Sequence, residues 1–232
     1  GEKLNGETNT HFGYIFGANS YLDNVNYVPQ TLKKVIITDA SSIGYGAFFE
    51  CNSLTSITIP FVGERLNGET NTHFGYIFGA DDYTNNRFDV PSSLKEVIIT
   101  GGNIIKENAF RGCGNLTSII IKEGVTSIEG NAFNACENLR SVTIEKGEIS
   151  IEKHAFYHLE GLTTVIIPLS VTSIGEQAFS HCTNLKSVTI SEVEKNTMNS
   201  KVEKIIGDYA FSHCSSLTSI EIPEGVTSIG KE

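Results

Sequence analysis

Two tripeptides, Ser180-His181-Cys182 and Ser212-His213-Cys214, place an imidazole beside a thiol, the residue types of a cysteine nucleophile and its base. That chemistry requires the imidazole within hydrogen-bond reach of an exposed sulfur. Neighbouring residues in a turn point different ways, so the expected arrangement is a surface His next to a core Cys. All five cysteines (Cys51, Cys113, Cys136, Cys182, Cys214) stand three residues after a Phe, and Leu159 takes that place in one further copy. A position that accepts Cys or Leu is apolar, so the five thiols are predicted free and buried. Asp23-Asn24-Val25-Asn26 and Asp81-Asp82-Tyr83-Thr84-Asn85-Asn86 offer oxygen atoms to Ca²⁺. They lack EF-hand spacing and its bidentate Glu, and Asn and Asp are ordinary turn residues. No catalytic residue, metal or cofactor is therefore assigned.

What positions these residues is a phrase written six times, I-x-x-x-A-F-x-x-C-x-x-L-x-x-I-x-I. Its Ala-Phe pairs are 47/48, 109/110, 132/133, 155/156, 178/179 and 210/211, and three successive spacings are 23 residues. A fixed period of this size marks a solenoid whose repeats each stack on the next. Leu32, Leu54, Leu94, Leu116, Leu139, Leu162, Leu185 and Leu217 register eight repeats, each followed by alternating β-branched residues that read as a short strand. Pro60, Pro168 and Pro223 follow three of these strands, where a missing N–H ends pairing. Ile43, Ile105, Ile128, Ile151, Ile174 and Ile206, five residues before each Phe, supply a second inward row.

Residues 1–18 and 63–80 are identical except for Lys3 against Arg65. Their Phe-Gly-Tyr-Ile-Phe aligns with the I-x-x-x-A-F unit, Phe12 and Phe74 taking the Ile place and Phe16 and Phe78 the Phe place. The additional length reads as surface loops (Phe61 to Thr72, Ser20 to Pro29, Asp82 to Pro91), as does the polar stretch Glu192 to Lys204 with Met198. Loops on a rigid scaffold often carry function.

The formal charge of −10 excludes the basic footprint that nucleic acid needs, and no apolar run approaches the ~20 residues of a membrane span. Two surfaces remain for recognition. The first is the row of outward strand residues Ile36, Thr58, Ile98, Ile120, Thr143, Ile166, Thr189 and Glu221, poor in charge on an acidic protein. The second is the loop aromatics Tyr21, Tyr27, Tyr83 and Phe88, the rest of an aromatic group in which Phe12, Phe16, Phe74 and Phe78 belong to the core. A structural spacer that presents another domain is the competing reading.

The 23-residue period, I-G-x-x-A-F-x-x-C-x-x-L-x-x-I-x-I-P and the spacer F-G-Y-I-F-G-A…V-P-x-S-L-K resemble the bacterial-surface leucine-rich repeats of the BspA or Treponema type. The expected fold is an α/β solenoid of the leucine-rich repeat class, one domain over residues 1–232 with about eight 23-residue repeats. A parallel β-sheet forms one face and turns or short helices the other. The chain opens and closes mid-repeat, as a piece of a longer protein would. It lacks the Asn ladder after the strand that helps set curvature in commoner leucine-rich repeats. The resemblance implies a secreted or cell-surface recognition or adhesion module whose partner is an extracellular protein or glycan; the chain is expected to be monomeric and, with no acid/base pair or Gly-rich phosphate cradle in its sequence, non-catalytic.

Overall fold

In a computed structural model, residues 3–4, 7–8, 12–16, 18–145, 147–191, 204–222 and 225–231 are described. The Leu-marked segments pair side by side as eight parallel strands, Lys34–Ile36, Ser56–Ile59, Glu96–Ile99, Ser118–Ile121, Ser141–Ile144, Thr164–Pro168, Ser187–Ser191 and Ser219–Ile220. We call this the front sheet. A second parallel sheet of six strands lies behind it: Ile104–Ile105, Ser127–Ile128, Ser150–Ile151, Ser173–Ile174, Lys204–Ile206 and Val226–Ile229. The I-x-x-x-A-F isoleucines head this second sheet or the equivalent bend, and all six are buried. Pro168 closes its strand from within, in register with Ser191; Pro223, Met198 and the stretch 192–203 lie outside the described residues.

The A-F-x-x-C segment is a tight turn, with helix confined to the longer repeats. Two residues per turn hold left-handed backbone: the one before Ala (Asn108, Asn131, His154, Gln177, Tyr209) and the one two after Phe (Glu50, Ala135, His158, His181, His213). Two left-handed residues bend the chain too sharply for a helix. The turns then bond forward, the Phe N–H donating to the Ala carbonyl of the next turn (Phe110 to Ala132 2.7 Å, Phe156 to Ala178 2.9 Å, Phe179 to Ala210 2.8 Å), except that Phe48 donates to Ile77 at 2.7 Å.

Inside, the phenylalanines form a continuous column. Phe110, Phe133, Phe156, Phe179 and Phe211 stack at 4.9 to 5.3 Å with interplanar angles of 11° or less. The Phe-Gly-Tyr-Ile-Phe unit joins this column in a way that corrects the expected alignment. Phe74, assigned to the Ile place, lies 4.8 Å from Phe110 and donates its N–H to Ala109, as a column Phe does. Phe78 faces the other way, toward Phe48 at 6.1 Å. Both rings of the unit thus belong to the column, because the 3₁₀ segment Phe74–Phe78 puts them 5.3 Å apart. Phe12 repeats the pattern on Phe48 at 4.9 Å.

The Asn ladder is replaced by threonine. Thr55, Thr117, Thr163 and Thr218 Oγ1 donate to carbonyls one turn back (Lys33, Lys95, Arg140, Lys186) at 2.9 to 3.1 Å. Thr126 and Thr172 do the same behind the second sheet. A hydroxyl reaching a preceding carbonyl ties adjacent turns without a buried carboxamide in each one.

The inserts are more ordered than loops. Tyr21–Asp23 and Asn24–Tyr27 form short helical turns, as do Tyr83–Asn85 and Asn86–Asp89. Each is anchored by one fully buried amide. Asn86 Oδ1 accepts from Gly75 N–H at 2.9 Å, and its Nδ2 donates to the carbonyls of Ala109 (3.2 Å) and Arg111 (3.0 Å). Asn24 makes the same three bonds to Gly13, Ala47 and Phe49. Gly75 is required there, since a Cβ would run into the Asn86 side-chain oxygen.

Candidate recognition surfaces

The five thiols are buried and free. Cys136, Cys182 and Cys214 donate to the Phe carbonyls of the preceding turn at 3.1 to 3.2 Å. Burial pushes Cys182 up to about 12 and Cys214 up to about 11, so neither is a thiolate at neutral pH. The imidazoles of His181 and His213 lie outside on the turn, stacked on one another at 4.2 Å. The Ser-His-Cys tripeptides hold no nucleophile.

The calcium reading meets a similar fate at its asparagines. Asn24 and Asn86 spend their amides on backbone, and Asp82 Oδ1 accepts from Thr84 N–H and Oγ1 at 2.6 Å. Among the described residues, no three His, Cys, Asp or Glu side chains converge on one point as they stand. A hollow of about 70 Å³ bounded by Phe61, Arg65, Glu69 and Lys106 is far below the ~300 Å³ at which small-molecule pockets begin.

What remains is surface. On the front sheet, Ile36, Thr58, Ile98, Ile120 and Thr143 occupy one register row, continued by Ile166 and Thr189. Parallel pairing holds successive members about 4.8 Å apart. Ile36 is 57% exposed, Ile98, Ile120 and Thr143 are half-buried, and Ile166 and Thr189 are exposed. Two members depart from expectation. Thr58 is only 8% exposed, its short side chain sitting between Ile36 and Ile98. Glu221 lies past the end of its strand, which pairs only through Ser219 and Ile220. The adjoining row carries Ser56, Ser118, Ser141, Thr164 and Ser187, with Glu96 accepting from Ser56 Oγ at 2.8 Å.

The loop aromatics are elsewhere, on the side of the A-F turns. Tyr21 packs edge-on against Tyr45 (5.7 Å) and Phe49 (5.8 Å), and Tyr45 against Tyr76 (5.4 Å). The Tyr45 hydroxyl donates to Gly79 and Asp81, and burial with that bond pushes it up to about 12. Arg111 stands over Tyr83 at 5.5 Å and Arg87 over Phe88 at 4.4 Å, leaving Phe88 70% exposed. Tyr27 is exposed. Tyr45 and Phe49 went unread as surface residues. Gly46, with positive φ and no room for a Cβ beside the Tyr21 ring, lets this cluster close, a feature that the sequence does not show.

A stacked solenoid with a Phe column, an A-F turn and a parallel front sheet defines a leucine-rich repeat protein. A profile of the BspA type leucine rich repeat region matches in 6 copies, over residues 15–69, 103–201 and 191–232, and the chain belongs to that family. Comparison with curated protein sequences gives no match. Among solved structures, the chain is similar to a leucine-rich repeat protein of T. pallidum at 17% identity, covering 83% of this chain and 81% of that one with a TM-score of 0.46. It is also similar to one from Bacteroides ovatus at 25% identity, covering 88% of this chain and 50% of that one, with a TM-score of 0.43. A leucine rich cell surface protein from Faecalibacterium prausnitzii shares 20% identity over 90% of this chain and 81% of its own, at a TM-score of 0.25.

Proposed function

We propose that this chain is a non-catalytic recognition module of a cell-surface or secreted protein, monomeric, binding an extracellular protein or glycan across its front sheet. One observation carries the reading. On a protein of formal charge −10, the paired row from Ile36 to Thr189 holds seven uncharged residues in register over seven strands, all but Thr58 at least partly exposed. Low charge with branched apolar groups is the composition of an interface core. The family supports a surface location, and no helix among the described residues is long and apolar enough to cross a membrane.

The test is a binding screen against extracellular-matrix proteins and a glycan array. Wild type is run beside a variant carrying Ile98→Glu, Ile120→Glu and Ile166→Glu. Ile98 and Ile120 are half-buried and paired across adjacent strands, so the melting temperature is expected to fall modestly while the chain stays folded at the assay temperature and binding is lost. Binding retained by the variant would move the site to the turn-side aromatics. No binding at all by the wild type would favour a spacer that presents another domain.

A further inference from the structure

Four of the six histidines in the chain fall in three consecutive turns. His158, His181 and His213 each occupy the left-handed position two after the Phe, with φ of 59°, 62° and 59°. The backbone fixes their alignment: His158 N–H donates to Ser180 and His181 N–H to Ser212, both at 2.9 Å. The imidazoles therefore form an external column, 5.6 Å from His158 to His181 and 4.2 Å from His181 to His213, the latter pair within 8° of parallel. At one end Glu160 Oε1 lies 3.8 Å from His158 Nε2.

We propose that this column is a binding site for a first-row divalent transition metal of the zinc and copper class. His181 and His213 supply the two protein ligands, and water fills the remaining positions of the ion. Imidazole nitrogen suits these ions above the alkaline earths. Two imidazoles on one zinc, each at 2.0–2.1 Å, place their nitrogens about 3 Å apart. Rings already at 4.2 Å close that distance by turning about Cβ–Cγ, a broad torsion in histidine. The His213 ring is exposed and that of His181 half-buried, so the rotation displaces water and has the edge-on contact of Tyr157 with His181 (5.6 Å) to adjust. His154 is excluded from the set, because its Nε2 lies 2.6 Å from Gln177 Oε1. Metal and proton compete for the same nitrogens, so binding falls with pH.

The experiment is calorimetric titration of ZnCl₂ into the untagged chain at pH 7.5 and 5.5. The expected result is one ion per chain with micromolar Kd at pH 7.5, at least tenfold weaker at pH 5.5. His181→Asn with His213→Asn should weaken binding at least tenfold, whereas His154→Asn should leave it unchanged. Asparagine is chosen because it tolerates left-handed backbone, and a urea melt checks that the fold survives. As a measurement independent of the variants, substoichiometric Cu²⁺ should broaden the imidazole resonances of His158, His181 and His213 before that of the buried His73. Absence of saturable zinc binding, equal affinity in the paired variant, or uniform broadening of the histidines would overturn the proposal.

Discussion

Replacing Asn86 by Ala tests how the long repeats are held. The side chain is fully buried, and its removal leaves Gly75 N–H, itself buried, without its acceptor. The carbonyls of Ala109 and Arg111 each lose a donor, but Ala109 keeps the N–H of Phe74 at 2.8 Å. The orphaned N–H costs about 1–3 kcal/mol, and two lost bonds add about 1 kcal/mol each, so the expected loss is about 3–5 kcal/mol in a urea melt. Asn86→Asp separates acceptor from donor. The carboxylate still accepts from Gly75 but faces two carbonyl oxygens, which raises its folded pKa above the unfolded value near 3.9. Its contribution is then fully present below that unfolded value and is lost as pH rises through the folded one. Asn86→Asp should therefore approach wild type near pH 4 and fall well below it at pH 7. If Asn86→Ala melts within about 1 kcal/mol of wild type, water fills the site and the amide is not the anchor.

Two further outcomes are expected. Phe78→Ala should cost about 3–5 kcal/mol while Phe16→Ala, in the near-identical first copy, costs under about 1 kcal/mol, because Phe78 is 1% exposed beneath Phe48 and Phe16 is 37% exposed; equal losses measured by denaturant melts would remove the column as the cause. A thiol probe at pH 8 should leave all five cysteines unmodified in the native chain and label all five in denaturant, since each is buried and burial raises each thiol; native labelling at Cys214 would mean that the last described turn opens.

The solenoid, the Phe column and the buried cysteines were legible because each recurs at the same place with the same apolar type. Recurrence of an inward side chain is what stacking requires. Asn24 and Asn86 were not legible as anchors, since asparagine in a polar stretch reads first as a turn residue. The signal lay in the duplication itself: they stand 62 residues apart between divergent neighbours, Leu22-Asp23 against Thr84-Asn85 and Val25-Asn26 against Arg87-Phe88, in inserts that otherwise share only Tyr21/Tyr83 and the closing Val-Pro. The Phe74 assignment failed for a geometric reason. Side chains four apart on a 3₁₀ segment can both face one column, a possibility that a one-to-one alignment with the regular repeat does not contain. Thr58 shows the limit of alternation, which fixes the side of a sheet but not how far larger neighbours shield a small residue.

The copied unit also bears on how the chain reaches this arrangement. Phe12 and Phe74 lie in the same Phe-Gly-Tyr-Ile-Phe sequence, and in the folded chain they seat on the turns carrying Ala47 and Ala109 respectively. During folding the turn at Ala109 can meet either unit with the same local chemistry. The choice then rests on chain connectivity, a closure of 35 residues from Phe74 against 97 from Phe12. The entropy difference between those loops is only about 0.9 kcal/mol, so a skipped-repeat register is a close kinetic competitor. The divergent inserts behind each unit give the chain its means of telling the two seats apart.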